Sequence, residues 1–350
     1  MFWRTLTLPD IERWIVIFLA VGLATWAGIG LYRRYLLKNK ILVVPNERSS
    51  HAVPTPQGAG AIMVAMVFLI WIILFLHHSN LTSLWNYGVL AAAAAVAIIS
   101  AWDDYAHISF KWRLLIHATA AAIAVISLPH GAALFPDWLP LWLERGFMAV
   151  GLIWFMNLFN FMDGIDGMMG GLMATIALGI AAVTPAWLDW QLALVLVPVA
   201  IGFLIWNWQP AKIFSGDVGS VAIGYLIGWL LLRLALSGNY NFVPAAILIA
   251  YPAADTTFTL LRRIVQGEQF WVPHRRHFFQ KVVRSGLSHA AVVSMVLLLQ
   301  IFLIIMALWA TYRRISPAVL AILAVTSWLS FCQWRFRWSD GHQKTRNRGS

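Results

Sequence analysis

Long apolar runs separated by short polar segments occupy most of this chain. Runs of about 17 to 25 residues match the length that a helix needs to cross the hydrocarbon core of a bilayer. We therefore predict eleven membrane-spanning helices, near residues 13–32, 59–77, 86–102, 114–129, 147–163, 168–186, 190–208, 219–236, 243–262, 290–311 and 317–334. Pro198, Pro244 and Pro252 lie within or near these runs and predict kinks beside a cavity. The pattern predicts an all-α polytopic membrane bundle that forms one domain over residues 1–350.

Composition agrees with a membrane protein. Hydrophobic residues make up 61% of the 350 residues, charged residues 11%, and the mean hydropathy is +0.74, whereas soluble domains are about 25% charged. The net charge of +11 does not point to nucleic acid, because the basic residues lie in loops between apolar runs, where membrane topology and anionic lipids explain them. The single cysteine, Cys332, excludes a disulfide framework and a cysteine zinc site.

The positions of lysine and arginine predict an orientation. The first apolar run is too long for the core of a signal peptide, and we interpret it as a retained helix. If this helix enters from outside, the cytoplasmic segments hold all but six of the 25 basic residues, namely all but Arg4, Arg13, Arg145, Arg233, Arg313 and Arg314. The positive-inside rule then predicts an amino terminus outside and a carboxyl terminus in the cytoplasm.

Carboxylates are concentrated at the predicted cytoplasmic ends of these helices. One group lies in the segment 157–167, where two asparagines and two aspartates follow each other at intervals of three residues beside Gly164 and Gly167. Ionisable groups at such positions are costly and usually functional, and oxygen ligands suit Mg²⁺. Solvation or helix capping is the alternative for any one of them, including Asp217 as an N-cap. The five aspartates expected at one site are Asp103, Asp104, Asp163, Asp166 and Asp217.

The predicted cytoplasmic loops, near residues 33–58, 103–113, 160–168, 209–219 and 263–289, contain residues that suit phosphate. In the first loop an arginine, hydroxyls and a histidine precede Gly58 and Gly60 at the start of a helix, and arginine and helix-start amides bind phosphate well. A turn-rich connector is the alternative. Lys111 and Arg113 are candidates to hold phosphate or to act as positive-inside anchors.

The last large loop contains two histidines and two arginines within residues 274–277. Such a segment predicts an anion receptor whose histidine charge changes near neutral pH, and a patch for lipid headgroups is an equal alternative. As zinc ligands these histidines lack a third partner. Asp255, at the end of the ninth predicted span, is expected either to join the site or to pair with Arg262.

The ordered motifs RSSH…PTPxGxG, DDxxxIS, NxxNxxDGIDG, SGDxGS and HRxHxxQ, from about residue 45 to residue 289, resemble those of the polyprenyl-phosphate N-acetylhexosamine-1-phosphate transferases, glycosyltransferase family 4. The layout is more similar to the bacterial enzymes that initiate O-antigen and related surface glycans than to the muramyl-pentapeptide enzymes. His51 stands where the muramyl enzymes carry lysine, and the His274 loop lacks their run of adjacent histidines.

The resemblance implies transfer of N-acetylhexosamine-1-phosphate from a UDP-sugar to undecaprenyl phosphate at the cytoplasmic face of the bacterial inner membrane. The implied cofactor is Mg²⁺, or Mn²⁺ in its place, held by Asn160 and Asp217. The implied partners are UDP-N-acetylhexosamine, undecaprenyl phosphate and membrane lipids, and the sequence leaves open whether the chain forms a homodimer. The implied catalytic residues are the five aspartates, and the implied substrate-binding residues are Arg48, Ser49, His51, Lys111, Arg113, Asn157, Asn160, His274, Arg275 and His277.

Two other classes remain as alternatives to this function. A muramyl-pentapeptide-type transferase would use the same chemistry on a different donor. A cation- or proton-coupled transporter would place carboxylates near the middle of the bilayer within paired inverted repeats. A membrane metalloprotease is not favoured, because the sequence contains no His-Glu-x-x-His pattern.

Overall fold

The computed structural model describes residues 7–43, 53–106, 108–135, 138–238, 241–269, 274–313 and 315–346. Within these residues the chain forms helices joined by short loops, with two isolated β-bridges and no strand. The helices are α1 (Leu8–Lys38), α2 (Ala59–His77), α3 (Leu84–Ala106), α4 (Phe110–Ile126), α5 (Leu141–Met162), α6 (Met168–Val183), α7 (Trp187–Asn207), α8 (Asp217–Leu236), α9 (Phe242–Leu248), α10 (Ala250–Val265), α11 (Phe278–Arg284), α12 (His289–Ala310) and α13 (Ile315–Arg346). The predicted fold class, an all-α polytopic membrane bundle, is confirmed.

Every predicted apolar run corresponds to a helix or a pair of helices in the described part of the chain. Eight of these helices are long and apolar enough to cross a membrane, and the bent pair α9 and α10 would be a ninth. Helices α4 and α6 have 17 and 16 residues, which is at the lower limit of the length for a full crossing. The total of eleven spans and the orientation of the termini therefore stay predictions.

The predicted continuous span 243–262 is wrong, because the chain bends by 68° between α9 and α10. Pro252 lies in the first turn of α10, where proline is tolerated because the amide there has no helical partner. Its ring prevents the α9 helix from continuing unbroken past Leu248. The freed Leu248 carbonyl accepts a bond of 3.5 Å from the buried amide of Gln300. The break separates an inner helix, α9, from an amphipathic outer one, α10.

Helix α8 lies at the centre of the bundle and packs against α2, α3, α5 and α9. Its polar side chains find partners on the neighbouring helices: the Tyr225 hydroxyl donates to the Ala120 carbonyl at 2.9 Å, and the Trp229 indole donates to Ser127 Oγ at 2.8 Å. Near its carboxyl end Arg233 pairs with Asp189 of α7 at 2.6 Å. Arg233, which lies within an apolar run, therefore has a buried carboxylate partner inside the bundle.

The first turns of α2 and α8 touch through glycines. A Cβ atom on Gly60 would lie 2.2 Å from the backbone nitrogen of Gly219 and 2.8 Å from the carbonyl of Ser215. Backbone atoms at such distances cannot move aside without shifting a helix. This contact holds the start of α8, which carries Asp217, against the start of α2.

We predict that Gly60→Ala lowers the stability of the protein by about 1–3 kcal/mol, because the added methyl group forces the two helices apart. Gly151→Ala is the matched control, since Gly151 also lies within a helix and nothing stands within 4 Å of its added Cβ. Thermal unfolding of both variants in detergent checks this. Equal melting temperatures for the two variants would contradict the close contact.

Candidate active site

Three parts of the chain meet at one end of the bundle: the last turn of α3, the turn between α5 and α6, and the loop before α8. That loop is held by the segment before α2. The Phe214 amide donates to the Pro56 carbonyl at 2.9 Å, and the Gly58 and Ala59 amides donate to the Phe214 carbonyl at 2.9 and 3.0 Å. The first amides of α2 are therefore used within the protein. The expectation that they bind phosphate is wrong.

Arg113 links two of the predicted aspartates. Its Nη1 lies 2.5 Å from Asp103 Oδ2, and its Nη2 lies 3.8 Å from Asp217 Oδ2. The other oxygen of Asp103 accepts the Ile108 amide at 2.8 Å. Arg113 thus joins the end of α3, the start of α4 and the start of α8, and it supplies positive charge between two carboxylates.

Asp217 is fixed on its other side by α5. Asn160 Nδ2 donates to Asp217 Oδ1 and to Ser220 Oγ, both at 2.8 Å. The N-cap of α8 is Gly216, and Asp217 is the first helical residue. The alternative interpretation of Asp217 as the N-cap is therefore wrong, and its carboxylate faces the other charged groups of the site.

Asp104 lies on the exposed side of the same cluster. The Gln57 side chain hydrogen-bonds it, and a Cβ on Gly216 would lie 3.2 Å from its Oδ2. Asp104 also lines a cavity of about 340 Å³ whose other walls include Tyr32 and Ile41. The cavity thus places a carboxylate next to apolar walls. This arrangement suits a substrate that has both a polar group and a hydrocarbon chain.

Asp163 directly follows α5, just past the candidate span Leu141–Met162, and accepts a hydrogen bond from the Ser215 hydroxyl. The pKa of Asp163 is raised to about 7, chiefly by burial and also by the nearby carboxylates of Asp217 and Asp166, although the Ser215 bond lowers it. This carboxyl group therefore gains or loses a proton near neutral pH.

Asp166 holds the turn between α5 and α6 in place. Its Oδ2 accepts the Ala211 amide at 3.1 Å and lies 3.4 Å from His289 Nδ1. The next residue, Gly167, has a φ of +82°, which favours glycine, and its amide donates to Asn207 Oδ1 at 2.9 Å. The contacts of Asp166 in this structure are thus with the loop 209–212 and the start of α12.

The segment 274–277 is anchored by Asp255 of α10. Asp255 Oδ1 lies 3.1 Å from His277 Nδ1, and its two oxygens accept the Phe278 and Phe279 amides at 3.0 and 3.2 Å. The His277 ring is buried and lies 5.9 Å from the Phe161 ring, next to Asn160 along α5. Asp255 thus pairs with His277, not with Arg262, and His277 holds the segment against α5.

His274 lies over His277, with ring centroids 4.8 Å apart, and its Nδ1 accepts the Arg276 amide at 3.2 Å. The pKa of His274 is lowered to about 4, chiefly by burial and also by the nearby His277, Arg263 and Arg276. The expectation that its charge changes near neutral pH is wrong, because the imidazole is already neutral there. His274 and Arg275 are both half-buried.

Some predicted residues are not brought into this cluster. Asn157 donates to the Ile153 carbonyl of its own helix at 2.7 Å, and Lys111 is exposed to solvent. The other predicted substrate-binding residues, Arg48, Ser49 and His51, lie outside the described residues.

Comparison with known proteins finds a family match over the part of the chain that contains the predicted aspartates. The model of a family described as glycosyl transferase family 4 matches residues 86–235. These residues include all of the five predicted aspartates and extend from the first turn of α3 to the end of α8. Residues 86–235 form a glycosyl transferase family 4 domain. The predicted family is thereby confirmed.

Full-length relatives extend this similarity beyond the family 4 domain. A protein of Bacillus subtilis named probable undecaprenyl-phosphate N-acetylglucosaminyl 1-phosphate transferase is 29% identical over 302 residues, which are 82% of each chain. A protein of Escherichia coli K12 named undecaprenyl-phosphate alpha-N-acetylglucosaminyl 1-phosphate transferase is 25% identical over 318 residues, 85% of this chain and 84% of its own. A Yersinia pestis protein of the same name is 27% identical over 286 residues.

Four contacts at or beside the aspartates were not predicted from the sequence, those of Gln57, Asn207, Ser215 and His289. Asn207 is buried, and its amide joins Gly167 to the Ile213 carbonyl at 3.0 Å. The sequence signal for Asn207 is its position as a single asparagine at the end of an apolar run, because a buried amide needs hydrogen-bond partners. The motif that contains Ser215 was recognised, but the serine itself was not assigned a role.

The donor set of the family 4 domain fits Mg²⁺ by its chemistry. Asp103, Asp104, Asp163 and Asp217 interact electrostatically with one another or with Arg113, so oxygen donors and negative charge accumulate with one arginine among them. Within the described residues, no three His, Cys, Asp or Glu side chains form a ready-made metal cage. Mg²⁺ commonly uses one or two carboxylates and takes its other ligands from water and substrate phosphates.

We predict that Asp163→Asn melts at a higher temperature than the parent protein at about pH 8 in a chelator. The pKa of Asp163 in the folded protein, about 7, lies above the ordinary value of 3.8. Stability is therefore lost as pH rises through about 7, and asparagine removes this loss. The difference in melting temperature should disappear near pH 4.

The exposed Glu12→Gln is the matched control and should show no such dependence. A melting difference for Asp163→Asn that is the same at both pH values would contradict the raised pKa.

Proposed function

We propose that this protein transfers N-acetylhexosamine-1-phosphate from a UDP-N-acetylhexosamine to undecaprenyl phosphate and releases UMP. A phosphate oxygen of the lipid forms a bond to the sugar-bearing phosphorus, and the bond from that phosphorus to the UMP oxygen breaks. The product is undecaprenyl-diphosphate-sugar. The observation that carries the proposal is the pairing of Asp103 and Asp217 with Arg113, with Asp163 close to Asp217, within a family 4 domain.

The names of the relatives support this reaction. They describe transferases that act on undecaprenyl phosphate and N-acetylglucosaminyl 1-phosphate. N-acetylglucosamine is accordingly the first sugar to test. The distribution of basic residues supports a site on the cytoplasmic side of the bacterial inner membrane, and the motif departures at His51 and His274 favour the first membrane step of O-antigen or related surface-glycan synthesis.

The electrostatics of the cluster suit this reaction. Two phosphate-bearing substrates bring several negative charges to a place that already holds carboxylates. Mg²⁺, held by Asp217 and Asn160, would neutralise the charge that develops on the phosphoryl oxygens. Arg113 adds a fixed positive charge, and guanidinium binds phosphate through two nitrogens at once. Its bonds to Asp103 and Asp217 keep it in one place before substrates arrive.

Asp103 is better suited to positioning than to proton removal. One of its oxygens bonds Arg113 and the other accepts the Ile108 amide, so both oxygens already have donors within the protein. The acceptor also has little need of a base, because the second pKa of a phosphate monoester is about 6. We therefore assign Asp103 the role of holding Arg113.

The segment 274–277 supplies the remaining polar groups. Asp255 and the buried His277 hold this segment against α5, with His274 and Arg275 half-buried beside them. A neutral His274 donates or accepts a hydrogen bond but adds no charge. By motif match, we assign Arg275 to the diphosphate of the donor.

We predict that the purified protein, given undecaprenyl phosphate, Mg²⁺ and UDP-N-acetylglucosamine, releases UMP and forms a lipid-linked diphosphate sugar. UDP-N-acetylgalactosamine and UDP-glucose test the choice of sugar, and a chelator tests the metal. Asp217→Asn should reduce turnover by roughly 10²-fold or more, whereas the exposed control Glu12→Gln should leave it unchanged. No turnover with any UDP-N-acetylhexosamine would overturn the proposed function.

A further inference from the structure

A second charged cavity lies away from the aspartate cluster, between α10, α11 and α13. Its volume is about 270 Å³. Five basic side chains line it: Arg262, Arg263, Arg276, Lys281 and Arg284. Concentrated positive charge in a concave site strengthens the attraction for an anion, because the low-dielectric walls focus the field.

Internal carboxylates neutralise only part of this charge. Glu268 pairs with Arg263, at 3.0 Å, and with Arg276. Among the ion pairs of the described residues, none includes Arg262, Lys281 or Arg284. Lys281 donates to Gln333 at 3.3 Å, and burial together with Arg262 lowers the pKa of its amine. The cavity therefore keeps an excess of positive charge that an anion would relieve.

The cavity adjoins an apolar surface. On α10 the exposed large apolar side chains are Phe258, Leu261, Ile264 and Val265, whereas Thr259 and Arg263 are buried and line the cavity. On α13 the cavity is lined by Gln333 and Phe336, in the last turn of a candidate span that ends at Arg337. A charged cavity at the end of a span, beside exposed aliphatic and aromatic side chains, matches the level of lipid headgroups.

We propose that this cavity binds the headgroup of an anionic phospholipid, whose acyl chains lie along the exposed apolar face of α10. The occupant must carry negative charge for the basic walls and hydrocarbon for the adjoining surface. A soluble phosphate compound would satisfy the first requirement and leave the second unused.

The cavity is connected to the segment that the proposed function uses. Thr259, which lines the cavity, lies with its hydroxyl 3.5 Å from Asp255 Oδ1, and α11 carries Lys281 and Arg284 one to two turns after His277. A bound headgroup would therefore fix α11 and with it residues 274–277. This regulatory consequence rests on the proposed function, whereas lipid binding itself does not.

The test is reconstitution of the full chain in vesicles of phosphatidylcholine alone or with one third phosphatidylglycerol. Mass spectrometry of the released protein then counts the phospholipid that it retains. The parent should retain phosphatidylglycerol in preference to phosphatidylcholine. Arg262→Gln combined with Arg284→Gln should lower this preference by roughly tenfold or more, since each basic residue near the surface contributes about 1 kcal/mol. Arg34→Gln, an exposed arginine on α1, is the matched control.

Equal retention by the parent and the double variant would overturn the proposal. Displacement of the lipid by inorganic phosphate would also overturn it, because the site would then be one for soluble anions. Both arginines are exposed, so the double variant should fold, and its melting temperature checks this. Transferase assays in the same vesicles separate the two proposals: retained lipid without turnover contradicts the proposed function alone.

Discussion

The cluster at the end of the bundle depends on one arginine among several carboxylates. Arg113 contacts Asp103 and Asp217, and without it these groups would repel one another in a partly buried place where water screens charge weakly. The same arginine ties α4 to α3 and α8. The Arg113 guanidinium thus offsets the repulsion between the two carboxylates and fixes the relative position of α3, α4 and α8. In the proposed reaction it also binds a phosphate group.

The membrane helices supply the rigidity that such a cluster needs. Gly60 on α2 permits backbone contact with Gly219 on α8, and Asn207 and Asp166 hold the loop 209–213 against the turn between α5 and α6. Acidic side chains held on rigid elements keep their mutual distances when substrates bind. The carboxylates lie at one end of the bundle, which favours phosphoryl transfer over ion transport through the middle of the bilayer.

Much of this arrangement was predictable because membrane helices and charged motifs leave strong local signals. The apolar runs predicted the helices, and the aspartates at 103, 163 and 217 were expected to meet. The signals failed where pairing depends on the fold. Arg113 was considered as a phosphate ligand, since spacing alone does not reveal its bond to Asp103. Gly58 and Gly60 resembled a phosphate loop, yet their amides bond Phe214 and Ser215. A kink was expected at Pro252, but a bend of 68° that divides the span into two helices was not.

A double-mutant cycle on Asp103 and Arg113 tests most directly whether these two residues act as one unit. The measured quantity is kcat/KM for the transfer reaction in the parent, Asp103→Asn, Arg113→Gln and the double variant. If Asp103 acts by holding Arg113, each single change lowers kcat/KM by roughly 10²-fold or more, and the double variant is no worse than the worse single one. Losses that multiply would mean that the two residues act independently, and would contradict this account.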